Sequence, residues 1–313
     1  MYPLKFKPIF KDRIWGGDAL KSFFSKDIPQ NTKIGESWEL ADVGNDKSII
    51  TNGEFAGQSI AELVEKYPLE ITGDPAYEPP FPLLIKILDA QDTLSVQVHP
   101  DEQTCIRTGK GDLKTECWYI IDAKPGAVIY KGLKPDVTKQ QFAKAIQDGT
   151  TADLPQKIPV EPGQCHFLPA GTAHAIGAGL LIAEIQTPSD TTYRVFDWNR
   201  VDDNGNPRQL HIEDALQSIN FNQDPAELTA TTVGRLVECE YFNVDKGHQL
   251  SGCEMLLSKG KMVVLFFISG NGTIADNDSS VEYEAGDTIL IPADYQGIVR
   301  FAQETKYLTI TID

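Results

Sequence analysis

The sequence predicts a mainly β protein, built as two antiparallel β-barrels with short helical insertions, and three observations carry that prediction. Most segments alternate apolar and polar residues over roughly four to eight positions and are then broken by Gly, Pro or Asp, as half-buried strands are. One segment repeats. Glu161-Pro-Gly163-Gln-Cys-His-Phe-Leu-Pro169-Ala-Gly171-Thr-Ala-His174 returns as Glu284-Ala-Gly286-Asp-Thr-Ile-Leu-Ile-Pro292-Ala-Asp294-Tyr-Gln-Gly297, Gly163 and Gly286 fixing the offset at 123. Glycine, a strand, proline and a second turn describe one corner of a barrel, so two copies predict two barrels. Helical periodicity, finally, is confined to short stretches.

The first of these stretches covers residues 58–67, where Ile60, Leu63 and Val64 share a face and Ser59-x-x-Glu62 forms a capping box. The second covers residues 139–147, capped by Thr138-x-x-Gln141, with Phe142, Ala145 and Ile146 apolar and Gly149 as the stop. The third covers residues 212–219. The domain boundary is expected at 222–232, where polar residues and Pro225 follow the third helix. That gives a larger first domain, 1–225, and a smaller one, 226–313. At the place of His174 the second copy has Gly297, so only the first copy keeps a metal-ligating residue there.

The chemistry-bearing residues fall on strands whose alternation sorts them. In Leu94-Ser-Val-Gln97-Val-His99, Ser95, Gln97 and His99 share one face. In Lys114-Thr-Glu116-Cys-Trp118, Lys114, Glu116 and Trp118 do the same, and His174 follows the Pro169-Ala-Gly171 corner. One barrel interior thus collects two imidazoles, a carboxylate and an amide, a set too costly to bury without a metal or a dense hydrogen-bond network. Two His and one carboxylate suit Zn²⁺ or an Fe(II) facial triad. His166, His211 and His248 read as ordinary core or surface residues, and Lys86, in an apolar strand, as a structural lysine with a partner.

Composition narrows the partners. Twenty-eight Lys and Arg against 45 Asp and Glu give a net charge of −17, which argues against nucleic acid. No apolar stretch exceeds seven residues, residues 262–268, far short of the ~20 a membrane-spanning helix needs. The N-terminus has no apolar signal region, and the odd set Cys105, Cys117, Cys165, Cys239 and Cys253 without a C-x-x-C pair fits reduced thiols, so a cytoplasmic location is expected.

The spacing Gly163-x5-Pro169-x-Gly171-x2-His174 is similar to the second signature of the cupin superfamily, and Gln97-x-His99 followed by Glu116 resembles the first, with residues 100–113 inserted. That insertion, together with Lys114-Thr-Glu116, Ser189-Asp190-Thr-Thr-Tyr193-Arg194, Ile14-Trp15-Gly16-Gly17, Gly35-Glu36-Ser37-Trp38-Glu39-Leu40 and His211-Ile-Glu-Asp-Ala-Leu216, resembles the type I mannose-6-phosphate isomerases in their short bacterial form. The resemblance covers nearly the whole chain and implies two cupin (jelly-roll) barrels. It implies one Zn²⁺ on His99, Glu116 and His174, with Gln97 as a fourth ligand, and isomerisation of mannose 6-phosphate to fructose 6-phosphate through an enediol. Arg194 maps to the active-site arginine. Arg200 stands where longer members carry a lysine, Glu184 and Asp190 match family acids, and Lys114 is a candidate proton shuttle or phosphate contact. Trp15 and Trp38 are candidates to wall the sugar pocket.

No phosphate-binding glycine loop is present, so the phosphate must meet side chains such as Arg194, Arg200 or Lys114, and a chain of charge −17 must build a local basic pocket. Two rival functions use the same ligands: an Fe(II) cupin oxygenase and a non-catalytic sugar-phosphate-binding cupin. A monomer is favoured.

Overall fold

The structure, a computed structural model, describes residues 1–29, 32–201, 205–223 and 228–312. The expected architecture is present. In the N-terminal barrel a six-stranded sheet, ordered Cys165–Leu168, Glu116–Ala123, Leu180–Gln186, Leu84–Ala90, Ile34–Leu40, Ile9–Gly17, lies against a five-stranded one. The latter runs Pro155–Pro159, Val128–Leu133, His174–Ile176, Val96–Val98, Tyr193–Phe196. In the C-terminal barrel a six-stranded sheet runs Leu4–Lys5, Thr288–Ile291, Val263–Ser269, Thr305–Thr311, Asn243–Gln249, Arg235–Glu238. Its partner is a four-stranded sheet, Glu254–Leu257, Gly297–Phe301, Asn271–Ala275, Ser280–Glu284.

The repeat marks equivalent corners. Gly163 and Gly286 turn the chain at φ of +93° and +90°, where a side chain is strained, just before the strands Cys165–Leu168 and Thr288–Ile291. The expected boundary at 225/226 lies outside the described residues. The N-terminus crosses it in space, because Leu4 and Lys5 pair with Leu290 and Ile289 of the C-terminal barrel.

Two strands, Leu84–Ala90 and Leu180–Gln186, are buried at every position because both their faces are covered. Leu88, Ala90, Leu180 and Ile182 point into the N-terminal barrel. Ile85, Ile87, Leu181, Ala183 and Ile185 point outward, into a layer shared with Val244, Val264, Phe266, Leu308 and Ile310 of the other barrel. The predicted helices occur as Ile60–Lys66, Lys139–Asp148 and Ile212–Ser218, and the first two carry the expected capping boxes in full. Helices Ala19–Phe24, Pro68–Thr72 and Glu102–Thr108 were not expected; the last fills the inserted segment and is capped by the Asp101 carboxylate, which accepts from Thr104 N.

The C-terminal barrel is filled with aromatic rings: Phe267 stacks on Tyr283 at 3.7 Å, and Phe301 on Tyr307 at 5.6 Å. Leu265 is buried in that packing. Among the described residues no helix is long and apolar enough to cross a membrane.

Candidate active site

Register places the polar side chains in two rows inside the N-terminal barrel. Across the five-stranded sheet, Arg194, Gln97, His174 and Lys131 are successive Cα partners. Across the facing sheet, Lys86, Glu184, Trp118 and His166 are. His99 and Glu116 sit at the strand ends beside the first row, and both are buried.

His99, Glu116 and His174 converge so that their ligand atoms all lie within 4.8 Å of one another. His99 Nε2 is 3.4 Å from Glu116 Oε2, and His174 Nε2 is 3.5 Å from Glu116 Oε1. Each imidazole Nδ1 meets a carbonyl at 2.8 Å, Thr191 O for His99 and Thr172 O for His174. A carbonyl only accepts, so each Nδ1 carries the proton and each Nε2 presents a lone pair.

Burial, aided by the Lys114 ammonium, pushes His99 down to about 3, and burial lowers His174 as well, so both rings are neutral at ordinary pH. Burial also opposes the Glu116 carboxylate, but Lys114, His99 and His174 outweigh it and hold its pKa well below the usual range. Lone pairs therefore face carboxylate oxygens in a buried site. His99 Nε2 and both Glu116 oxygens have no hydrogen-bond partner; Lys114 Nζ is 3.1 Å from Oε2 but outside hydrogen-bonding angles. Donor atoms around a tetrahedral ion lie roughly 3.4 Å apart. The residues fit a divalent cation.

The Gln97 amide touches His174 Nε2 at 3.3 Å, placing it at the same centre. A polar chain continues outward: Arg194 Nε donates to Ser95 Oγ at 3.2 Å, and Ser95 Oγ to Gln97 Oε1 at 3.4 Å.

Gln97 and Lys114 bound a cavity of about 410 Å³ that opens away from the triad. Its wall carries the cations Arg13, Lys86, Lys114, Arg194 and Arg208 against Glu36, Glu184 and Asp190, with Trp15, Leu88, Leu94 and Ile176 as apolar surface. This is the local basic pocket that the overall charge demanded. Lys86 has the expected partner, Glu184 Oε1 at 3.1 Å, while Glu184 Oε2 accepts from Trp118 Nε1 at 2.9 Å. Burial opposes the Lys86 charge, yet Glu184, Glu36, Asp190 and Glu116 together hold its pKa above the ordinary lysine value.

The structure thus gathers Gln97, His99, Glu116, His174, Lys114, Arg194, Glu184, Asp190 and Trp15. It does not bring Arg200 to this cavity. Arg200 donates to Thr93 O at 2.6 Å and pairs with Asp197, which turns its guanidinium to the outer side of the wall. Trp38 is buried, its Nε1 donating to Glu36 at 2.7 Å, and does not line the cavity. Sequence reading missed Arg13, Glu36 and Arg208. Arg13 and Glu36 bond across neighbouring strands (Nε to Oε1, 2.7 Å), a pairing that only the register reveals.

Two family models match the chain: "Phosphomannose isomerase type I, catalytic domain" over residues 3–116 and "Mannose-6-phosphate isomerase, cupin domain" over residues 232–298. The mannose-6-phosphate isomerase ManA of Bacillus subtilis (strain 168) is 38% identical over 304 residues, covering 93% of each chain. The chain belongs to the type I phosphomannose isomerase family. The mannose-6-phosphate isomerase of Streptococcus mutans serotype c is likewise 38% identical, over 93% of this chain and 92% of its own. A crystal structure of the mannose 6-phosphate isomerase from Bacillus subtilis superposes with a TM-score of 0.88 at 31% identity, covering all of both chains. Members of this family are aldose–ketose isomerases, the fold is theirs, and the His–Glu–His cluster of this chain could hold a metal ion.

Proposed function

We propose that the protein interconverts mannose 6-phosphate and fructose 6-phosphate with a single Zn²⁺ held by His99, Glu116 and His174, Gln97 being the fourth ligand. The observation that carries this reading is the buried triad, in which His99 Nε2 and both Glu116 oxygens have no hydrogen-bond partner, set against a cationic cavity in a chain of this family. In this reading residues 1–225 carry the chemistry and residues 226–313 support it. Five free thiols are consistent with a cytoplasmic protein.

Aldose–ketose isomerisation moves a proton between C1 and C2 through a cis-enediol, so charge builds on the adjoining oxygens. A bound zinc ion supplies a redox-inert Lewis acid for that charge. Arg194, held by Ser95 Oγ and Gln209 O at the edge of the metal centre, directs a fixed positive charge into the same space. Lys114 Nζ, beside Glu116, is placed to hold or pass a proton on the metal side of the sugar. Glu184 is fixed by Trp118 and Lys86, and Asp190 stands exposed on the rim, so both are placed to accept from sugar hydroxyls. Trp15 and Ile176 offer the apolar surface on which a pyranose face packs.

The deciding measurement is turnover of mannose 6-phosphate by the protein as isolated, after chelation, and after Zn²⁺ is restored without oxygen. Activity lost and then regained is the expected result. Turnover that needs oxygen would point to the Fe(II) reading, and tight sugar-phosphate binding without turnover to a binding protein.

A further inference from the structure

The cavity wall contains a guanidinium cluster that the ligand set does not explain. Asp197, almost fully buried, accepts from Arg208 Nε at 2.7 Å and Arg208 Nη2 at 2.5 Å, and also pairs with Arg200. Burial raises the Asp197 carboxyl, but its bonds to Arg208 and Arg200 outweigh that and hold it below the usual carboxylate range. Arg200 also meets Asp92 Oδ2 at 3.6 Å, so its charge is balanced on the outer side and Arg208 is the guanidinium of the cluster that serves the cavity. Arg200 spends its remaining reach on Thr93 O, outside the cavity. Arg208 faces inward, and among the described residues its Nη1 has no protein partner.

Two further guanidiniums share the wall in the same way. Arg194 is fixed through Nε and Nη1, and Arg13 through Nε to Glu36 and Nη1 to Asp12 O; each keeps Nη2 unengaged among the described residues. Burial lowers the Arg194 pKa and the nearby Arg208 charge lowers it further, so the two cations repel across shared space. Anchored, converging and mutually repelling guanidiniums with free N–H groups form a site for a multiply charged oxyanion.

We infer that Arg208, clamped by Asp197, forms with Arg13 the seat for the substrate's phosphate group, Arg194 lying on the metal side of that seat. This rests on the isomerase reading for the identity of the ligand. The layout suits a hexose 6-phosphate. Arg194 neighbours Gln97 and so lies toward the metal centre, whereas Arg208 and Arg13 also line the adjoining outer groove and so lie toward the mouth. The phosphate of such a sugar sits at the opposite end of the carbon chain from C1 and C2. Asp197 acts as a positioning residue: it fixes the fork of Arg208 without reaching the cavity itself.

The test is steady-state kinetics together with inhibition by inorganic phosphate. Arg208→Ala is expected to raise KM for mannose 6-phosphate and the inhibition constant of inorganic phosphate in parallel, each about 10- to 100-fold, with a smaller fall in kcat. Arg208→Lys recovers part of the loss because it restores the charge without the fork. Asp197→Asn gives an intermediate rise in both constants. Unchanged KM and phosphate inhibition in Arg208→Ala would overturn the assignment. A second measurement needs no variant: inorganic phosphate should protect Arg208 of the unmodified protein from an arginine-selective dicarbonyl reagent, read by peptide mapping, and absence of protection overturns the seat. If the wild type fails to isomerise mannose 6-phosphate, the isomerase reading falls, while the protection experiment still decides the anion site.

Discussion

Arg194 separates an enzyme from a binding protein more sharply than any metal ligand does. Its side-chain contacts are Ser95 Oγ on the cavity wall and the backbone carbonyl of the exposed Gln209, neither of them part of the apolar core, so Arg194→Ala should fold and retain metal. Turnover should nevertheless fall by about 100-fold or more, since a fixed charge beside the developing enediolate is lost. Near wild-type kcat with a full metal complement would remove Arg194 from the chemistry. A second residue reports on the barrel's buried electrostatics. His166 is inside the barrel, and burial together with the Lys131 charge lowers it to about 4 from 6.5. Its folded pKa is depressed, so the unfolded chain binds the extra proton first, and stability present above pH 6.5 is lost as pH falls toward 4. The loss is about 3 kcal/mol across that window. Urea unfolding of His166→Gln should show the wild type's advantage shrinking by about this amount between pH 7 and pH 4, the other histidines cancelling in the difference. An advantage independent of pH would mean that His166 is not held neutral. What was legible at this scale follows from period two: alternation on two strands put Gln97 with His99 and Lys114 with Glu116, and the repeat located His174. Arg208 was not legible, because its place depends on a loop carrying it to Asp197, and no local pattern encodes that closure.

The helices show why some elements could be read and others not. Lys139–Asp148 announced itself through Thr138 and Gln141, whose side chains bond reciprocally to backbone N–H groups, and through Gly149, which closes it at φ of +72°. Glu102–Thr108 has only Thr104 buried, so it lacked an apolar face to detect. The function of Lys139–Asp148 is to back the site. Phe142 and Ala145 pack with Val96 and Val98, the outward residues of the strand whose inward residue is Gln97. Ile212–Ser218 covers the same face through Ala215, next to His211, whose Nδ1 accepts from the backbone of Arg194. Removing the cap and removing the packing should therefore separate. Thr138→Ala, on the exposed rim, should cost about 1 kcal/mol in urea unfolding and leave kcat and KM alone. Phe142→Ala should cost about 3–5 kcal/mol and weaken metal retention as well, because the strand bearing Gln97 loses its backing. If Phe142→Ala loosened the fold while metal affinity stayed at the wild-type level, the helix would be structural cover only.

The two barrels are joined more intimately than a boundary in the sequence suggests. Their six-stranded sheets share one core, in which Ile85, Ile87, Tyr119 and Ile185 of one meet Val264, Phe266, Leu308 and Ile310 of the other. The first strand, Leu4–Lys5, belongs to the far barrel, and Phe24 of the helix Ala19–Phe24 sets its ring against Phe266 at 6.3 Å. The repeat revealed two barrels, since each copy must close its own corner; it did not reveal this layer, because fully buried strands lose the alternation that marks a free face. With its own interior filled by Phe267, Tyr283, Phe301 and Tyr307, the C-terminal barrel contributes an outer surface rather than a pocket. That surface covers the backs of Glu116–Ala123, Leu84–Ala90 and Leu180–Gln186, the strands that carry Glu116, Lys86 and Glu184. Folding of the site should then depend on both barrels at once. Phe266→Ala, in the shared layer on the far side of the sheet from the cavity, is expected to cost about 3–5 kcal/mol and to lower a single calorimetric transition that includes loss of the metal centre. Two separated transitions, with the metal-binding step unmoved, would show instead that the N-terminal barrel holds its site without the support of the second.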